Sequence, residues 1–302
     1  MSVLEDAFLK SRRRLYGLAY RMLGSAADAE DIVQETYLRA SRASGEEVKT
    51  PEAYLVSIAS RLCLDHMKSA RARREIYVGP WLPEPIVDTE GLTPEGAAAY
   101  ADDLSLALLM TLEKLSPTER AAFLLHDVFD LPFPEIARVL ERSEPSCRQL
   151  AARARKAVRR DKPVRKATRD EHQAMLVKFA RAVAEGGPED LRALFADDAV
   201  LYSDGGGVKL AALNPIKGGE KIARFFTGLE KKGAGLGLRH SVRMADINGA
   251  PGFLIYLEDR LDQTLSIETD GEKITAVYVV RNPKKLSAVS AALDKGGSPH
   301  LP

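Results

Sequence analysis

Two stretches of this chain carry residue types at spacings suited to binding charged polymers. Residues 134–160 comprise a short apolar segment, a polar break at Ser143-Glu144-Pro145-Ser146 and a strongly basic second segment. In that second segment Cys147, Leu150, Ala151, Ala154 and Val158 recur at spacings of three and four, which predicts a helix with one buried stripe. The pattern is that of a helix-turn-helix, with DNA as the first partner to consider. Ser143, Glu144 and Ser146 stand at the start of the second helix, where a recognition helix meets base edges, with Gln149 one turn on. Arg148, Arg153, Arg155 and Lys156 can reach phosphates. The plainer alternative is a solvated basic helix on an ordinary helical domain. The second stretch is acidic. Between Leu23 and Leu38 all four charges are carboxylates, and Asp28, Asp31 and Glu35 fall at i, i+3 and i+7 on one face with Gln34 beside them. Carboxylates repel phosphate, so this face suits a basic protein surface; its plainer alternative is a capped, solvated helix.

The elements that position these groups are legible from pattern. Residues 1–75 are predicted all-helical. Ser25 caps a helix with Asp28 at its third position and an apolar face of Ile32, Val33, Tyr37 and Leu38. Another helix begins near Pro51 and turns Tyr54, Leu55, Ile58, Ala59, Leu62 and Cys63 inward. Residues 76–101 hold four prolines and three glycines and read as a linker without a continuous element. A second helical unit spans 102–166, with a capping box at Ser116-Pro117-Thr118-Glu119. From 168 to 286 the texture changes to a helix near 170–185, short alternating runs at 199–203, 238–247, 253–257, 261–268 and 274–280, and a helix near 220–229. That predicts an α+β domain with helices on a curved antiparallel sheet, followed by a tail at 287–302.

Composition bounds the class. The chain has 302 residues, 45% hydrophobic and 29% charged, as expected for a folded protein of several domains. Net charge is +1, yet Arg138 to Lys166 holds eleven Lys or Arg against three acids, and Glu84 to Glu135 eleven acids against two bases. Such segregation marks faces for different partners. No apolar run approaches a membrane span and the N-terminus lacks the order of a signal peptide, so a cytoplasmic location is expected. Cys63 and Cys147 both fall on apolar helical positions, too few for a zinc site; no metal and no cofactor is expected.

With these elements in order, the first 165 residues resemble an extracytoplasmic-function sigma factor. Asp-Ala-Glu-Asp-Ile-Val-Gln-Glu-Thr-Tyr at 28–37 resembles the region-two segment that grips core RNA polymerase, and Tyr54-Leu55 through Asp65-His66 resembles the promoter-melting segment. The helix-turn-helix resembles region four. The last segment resembles the SnoaL-like, nuclear-transport-factor-like fold, which one sigma subgroup carries fused to its C-terminus. Three small motifs of that subgroup are present: Trp81-Leu82-Pro83-Glu84-Pro85, Asp204-Gly205-Gly206-Gly207 and Asn282-Pro283-Lys284-Lys285-Leu286. Lys284 stands where the subgroup has an acid, and Glu141 where the helix-turn-helix family often has glycine.

The resemblance implies a multidomain protein of two all-α sigma domains and a SnoaL-like cone, with core RNA polymerase and promoter DNA as partners. Asp28, Asp31, Gln34 and Glu35 would meet the polymerase. Melting needs a pocket for an extruded base and positive charge for the displaced strand; the loop Ala43 to Thr50 would form the pocket, with Arg61, His66, Lys68, Arg71, Arg73 and Arg74 along the backbone. Trp81 and Pro83, Asp204 to Gly207, and Asn282 with Pro283 would make regulatory contacts between the C-terminal domain and the sigma domains, open to bias by a small ligand in the cone. Two rival classes remain: a ligand-responsive one-component regulator without polymerase, and an enzyme of the SnoaL-like class with a DNA-targeting module. For the latter the candidate groups are Tyr202, Asp204, His240, Asp259 and Asp262.

Overall fold

The computed structural model describes residues 3–42, 48, 50–75, 77–88, 104–160, 167–234 and 239–295. Two compact units emerge, one of Met1–Ile76 with Ala99–Lys162 and one of Tyr77–Ala98 with Pro163–Pro302. The described linker residues, 77–88, therefore belong with the C-terminal unit.

In the first unit α1 (Val3–Leu23), α2 (Ala26–Ser41) and α3 (Pro51–Glu75) pack together. Ser25 Oγ accepts the Asp28 amide at 3.2 Å, as the capping pattern predicts. The inward stripe of α2 is Ala29, Ile32, Val33, Thr36 and Ala40. Tyr37 and Leu38, expected on that face, are 38% and 46% exposed. The small residues Ala29, Thr36 and Ala40 let α2 approach its neighbours closely, and the large pair is left at the edge.

The helices α4 (Leu106–Glu113) and α5 (Pro117–Phe123), a π-helical turn (Leu124–Val128), α6 (Phe133–Leu140) and α7 (Glu144–Arg160) follow. The Ser116–Glu119 capping box is formed in both directions. The buried residues of α7 are Cys147, Leu150, Ala151, Ala154 and Val158, the stripe read from spacing. These helices do not stand apart from α1–α3. Arg120, 1% exposed, donates to the Met22 carbonyl at 2.6 Å and to Glu113 at 2.7 Å. Arg14 donates to the Phe129 carbonyl at 2.6 Å and lies over the Phe129 ring, and Arg61 donates to the Arg138 carbonyl at 2.9 Å.

The second unit is built on a seven-stranded sheet of β1 (Val87–Asp88), β2 (Phe195–Asp204), β3 (Ile216–Lys217), β4 (His240–Ile247), β5 (Ala250–Leu257), β6 (Arg260–Thr269) and β7 (Ile274–Val280), ordered β1-β4-β5-β6-β7-β2-β3. The pairing is mixed, because β2 runs parallel to β7, which corrects the all-antiparallel expectation. The helices α8 (Arg169–Ala184), α9 (Pro188–Leu194) and α10 (Gly219–Ala234) cover one face around Phe179, Phe195 and Phe226. Successive strand residues point to opposite faces; Phe253 joins that core, while Leu254 joins Ile247 and Val289 on the other. Val289 belongs to α11 (Pro283–Lys295), so residues 287–295 of the expected tail form a packed helix.

The linker expectation also needs correction. Asn248 and Gly249 join β4 to β5 with φ of 54° and 79°, the two left-handed residues of a tight hairpin. Asn248 then exchanges hydrogen bonds with Ile86 at 2.8 and 3.2 Å, and β1 pairs with β4 as an edge strand.

Glu141 occupies a left-handed conformation, φ 54° and ψ 46°, at the end of α6. Its own amide and that of Arg142 both close on the Ala137 carbonyl, a helix ending that normally takes glycine. A side chain there costs about 1–2 kcal/mol, and glycine returns part of that as unfolded-state entropy. Glu141→Gly is therefore expected to raise the stability of the helical unit by about 0.5–1 kcal/mol. Urea denaturation followed by circular dichroism checks this; an unchanged or lowered midpoint contradicts it.

Candidate functional site

The acidic side of α2 divides on inspection of its partners. Asp28 faces His66 of α3 at 3.4 Å, and Glu35 is bonded to Arg39 at 2.8 Å. Asp31 and Gln34 are exposed, on the side of the helix that also exposes Leu38. Of the proposed melting residues, Arg61 is held by the Arg138 carbonyl, His66 by Asp28, and Lys68 by Asp65 at 2.9 Å. Arg71, Arg73 and Arg74 lie on the last turns of α3, but their side chains, like most of the loop from Ala43 to Thr50, fall outside the described residues.

The start of α7 holds the expected residues in local contacts of its own. Ser143 Oγ caps it through the Ser146 amide at 3.4 Å, and Glu144 pairs with Arg148 one turn on at 3.4 Å. The Arg148 guanidinium lies 4.4 Å from the centre of the Phe133 ring, which fixes its direction at the mouth of the turn. Gln149 and Lys156 are exposed. Arg153 and Arg155 are already engaged, with Glu119 at 2.9 Å and Asp127 at 2.6 Å. Hydrogen bonds from Ser116 outweigh desolvation and, with Arg153, hold the Glu119 carboxyl below its usual range. These two arginines fasten the recognition helix to its own domain. Periodicity assigned them correctly to the outer surface; it could not show acids from another helix facing them. Cys63 and Cys147 are buried thiols whose pKa values burial pushes up, so neither is poised for thiolate chemistry.

In the C-terminal unit the three small motifs converge on one carboxylate. Asp204 ends β2 with no solvent exposure. Its side chain accepts from Tyr77 Oη at 2.6 Å, the Leu82 amide at 2.9 Å, the Gly206 amide at 3.0 Å and Lys285 Nζ at 2.7 Å. A carboxylate has about four lone-pair directions, and all are used. Lys285, 6% exposed, also donates to the Leu82 carbonyl and sits 4.1 Å from the centre of the Trp81 ring. Asn282 donates to Tyr77 Oη at 2.8 Å and takes the Lys284 amide on its own Oδ1 at 3.0 Å. Burial, then the bond to Asp204, push the Tyr77 phenol above its ordinary range, so it stays a donor.

The glycine run is required sterically. A Cβ on Gly206, at φ 63°, would lie 2.4 Å from the Asn282 side chain, and one on Gly205 would lie 2.1 Å from the Lys209 carbonyl. Pro83 is buried beside Leu82, whereas Pro283 is exposed at the start of α11. Lys284, the departure from the subgroup motif, is exposed too and contributes its backbone alone to the junction described here. Two residues missed by sequence reasoning complete the site: Tyr77, just ahead of the tryptophan motif, and Lys285, present in a quoted motif but given no role. An aromatic hydroxyl next to a proline-rich segment was the available signal for the first.

The candidate catalytic groups do not assemble into one site. Asp204 is fully bonded, Asp259 is 81% exposed in a turn, and Asp262 is held by Lys209 and Arg281. Tyr202 stacks on Tyr278 and His240 is exposed at the start of β4. Among the described residues no group of three or more His, Cys, Asp or Glu could hold a metal ion, and no helix is long and apolar enough to cross a membrane.

Comparison with known proteins agrees with this layout. The family model for Sigma-70 region 2 matches residues 7–73, and that for Sigma-70 region 4 matches residues 105–158. The chain is 37% identical over 286 residues to the ECF RNA polymerase sigma factor SigJ of Mycobacterium tuberculosis, covering 91% of each. It is 32% identical over 301 residues to the probable ECF RNA polymerase sigma factor SigI of the same organism, covering 96% of this chain and 97% of that one. The crystal structure of Mycobacterium tuberculosis SigJ matches with a TM-score of 0.76 at 34% identity, over 95% of this chain and 98% of that one. Region-two helices, a region-four helix-turn-helix and a C-terminal SnoaL-like fold, all matched along nearly the whole length, place this chain among the extracytoplasmic-function (ECF) RNA polymerase sigma factors.

Proposed function

We propose that this sigma factor binds core RNA polymerase through the outer side of α2, opens the minus-ten element with α3 and its preceding loop, and reads the minus-thirty-five element with α7. The C-terminal unit is its built-in regulator, acting on the linker it holds. Promoter recognition for RNA polymerase is the activity of the family; the assignments to residues are our reading. Asp31 and Gln34 beside the exposed Tyr37 and Leu38 give α2 the mixture of polar and apolar surface that protein interfaces use. On α7 the groups left for DNA are Ser143, Ser146, Arg148, Gln149 and Lys156, because Arg153 and Arg155 are engaged within the domain. We place the protein in the cytoplasm, with its polymerase.

The observation that carries the regulatory reading is the fastening of residues 77–88 by Asp204, Asn248 and Lys285. The two promoter elements are roughly 25 base pairs apart, on the order of 80 Å at roughly 34 Å per turn. The α1–α3 and α4–α7 groups pack directly on each other, so they must separate to read both. Their tether runs from the end of α3 to the start of α4, residues 76–105. Fully extended it reaches about 100 Å, but about 60 Å if residues 77–88 are withheld, plus whatever length they span while docked. Releasing the linker thus changes the reach on the scale that promoter spacing demands. Val208, Leu210 and Leu213, 70%, 86% and 67% exposed on the loop beside Val78, give the C-terminal unit an apolar surface next to the linker it holds. No catalytic role is assigned to this unit, since its acids are bonded or dispersed.

Two outcomes are expected. Arg14→Ala removes the bond to the Phe129 carbonyl that helps keep the two helix groups together. A charged hydrogen bond contributes about 1.5–3 kcal/mol. Opening made easier by about 1.4 kcal/mol lowers the apparent Kd for core polymerase roughly tenfold while the open form is minor. A binding titration with core polymerase checks this, and unchanged affinity contradicts it. In reconstituted initiation, Asp204→Asn, which leaves Lys285 buried without its counter-charge, is expected to change the output of the full chain, and Leu82→Ala, which disturbs the same junction from the linker side, is expected to change the full chain but not a chain cut after Pro163, which lacks the C-terminal unit. Failure of both the full chain and the cut chain to support initiation on any promoter overturns the reading as a whole.

A further inference from the structure

A cavity of about 310 Å³ lies at the β5–β6 turn, between that turn, the start of α11 and Lys209 on the loop after the glycine run. Leu261 in its wall packs with Leu254 and Val289, so the cavity is on the sheet face opposite the Phe179–Phe195–Phe226 core and outside the cone. Its charged lining is Lys209, Arg260, Arg281, Asp262 and Glu258, and its apolar lining is Leu257, Leu261, Pro283 and Leu286.

The charges are arranged unequally. Asp262 is the extra residue of a bulge, since Ile255 pairs with Gln263 and Tyr256 with Leu261; bulges re-aim side chains and cluster near sites. It accepts from Lys209 at 2.9 Å and Arg281 at 2.8 Å. The carboxylate is 9% exposed, whereas Lys209 and Arg281 are 42% and 24% exposed. Two cations therefore share one carboxylate that lies behind them, and an approaching ligand meets the positive groups. Arg260 adds a third cation, exposed on the rim. Glu258 takes the Arg239 backbone amide at 2.9 Å, and the Arg239 guanidinium is shared between Asp259 at 3.1 Å and Glu258 at 4.0 Å, so the three cations of the lining exceed its two acids by one. Arg281 gives one NH to the Leu210 carbonyl and another to Asp262, while its buried Nε has no acceptor among the described residues. The rim turn itself is strained: Glu258 and Asp259 have φ of 48° and 63°, where a hairpin of this kind takes Asn or Gly.

We propose that this cavity binds a small monoanion with an apolar body, of the fatty-carboxylate type, its head group against Lys209, Arg260 and Arg281 and its chain on Leu257, Leu261 and Leu286. A purely structural tie of the 205–213 loop accounts for Lys209 and Arg281 on Asp262. It does not account for the third cation, the excess of positive charge or the leucine wall. The volume is at the lower end for small-molecule sites, which restricts the ligand to a short chain. Because Lys209 follows the glycine run and Leu286 closes the Asn282 motif, the ligand would touch both segments that hold the linker. That consequence rests on the regulatory reading above; the binding itself does not.

The test is titration of the full chain with octanoate, without polymerase, by ligand-observed NMR and calorimetry, with octan-1-ol as the uncharged counterpart. Saturable octanoate binding is expected, with octan-1-ol at least about fivefold weaker, and about fivefold loss of affinity for each of Lys209→Ala and Arg260→Ala, the upper range for a single half-exposed charge pair. Arg260 is exposed and away from the bonded trio, so its variant separates ligand contact from loss of loop structure. No saturable binding, equal affinity for octan-1-ol, or undiminished affinity in the Arg260→Ala and Lys209→Ala double variant overturns the proposal.

Discussion

The buried carboxylate of Asp204 is the constraint on which the C-terminal unit depends. A charge without solvent costs several kcal/mol unless every lone pair is met and a counter-charge is close. Here the donors come from three distant parts of the chain: Tyr77 and Leu82, Gly206, and Lys285. None of these segments can leave without stranding either the acid or Lys285. A pair of this kind adds little net stability compared with an apolar replacement; what it enforces is that the segments arrive together and in one register. The glycines follow from the same demand, since the turn after Asp204 must bring Gly206 against Asn282 closer than a side chain permits.

The first unit solves a related problem with carbonyls. Arg14, Arg61 and Arg120 each reach across from one helix group to a main-chain oxygen of the other. Guanidinium groups do this well because they are only weakly hydrated and present several donors in a fixed plane. Arg120 is the anchor, buried and also paired with Glu113, whereas Arg14 and Arg61 are at the margin. On the proposed reading, in which the two helix groups separate on polymerase, such contacts suit an assembly that opens. They are directional, and each can be broken singly.

Legibility in the sequence followed the range of the interactions. The α7 stripe, the Ser116–Glu119 box and the Ser25 cap depend on residues three and four apart, and the structure has all three. Glu141 was also visible, because a missing glycine at a helix end is a local signal, and its φ of 54° is the expected consequence. Long-range partners were not visible. Arg153 and Arg155 looked available for phosphate until Glu119 and Asp127 were placed opposite them. Residues 287–302 read as a tail because the apolar side of this segment, with Val289 one turn after Leu286, is short and its buried face is supplied by the distant sheet. Short edge strands such as β1 and β3, two residues each, carry no periodicity at all, and the parallel β2–β7 pairing is a property of topology. The motifs of the junction were recognised by resemblance, but the roles of Tyr77 and Lys285 appear only when the carboxylate they serve is seen.

The central claim is that the two promoter-reading helix groups are closed on each other in the free protein and open on polymerase, with the Asp204 junction setting how easily they open. Distance between dyes on Leu9→Cys of α1, outside the polymerase-binding side of α2, and Ala152→Cys of α7, both exposed positions, tests it most directly; the native Cys63 and Cys147 are buried and stay out of the labelling. Efficient energy transfer is predicted in the free full chain, with a large fall on adding core polymerase and a shift of that fall to a different polymerase concentration when Asp204 is replaced by Asn. Equal transfer in the free and polymerase-bound states, or superimposable titrations for the two chains, would contradict the account.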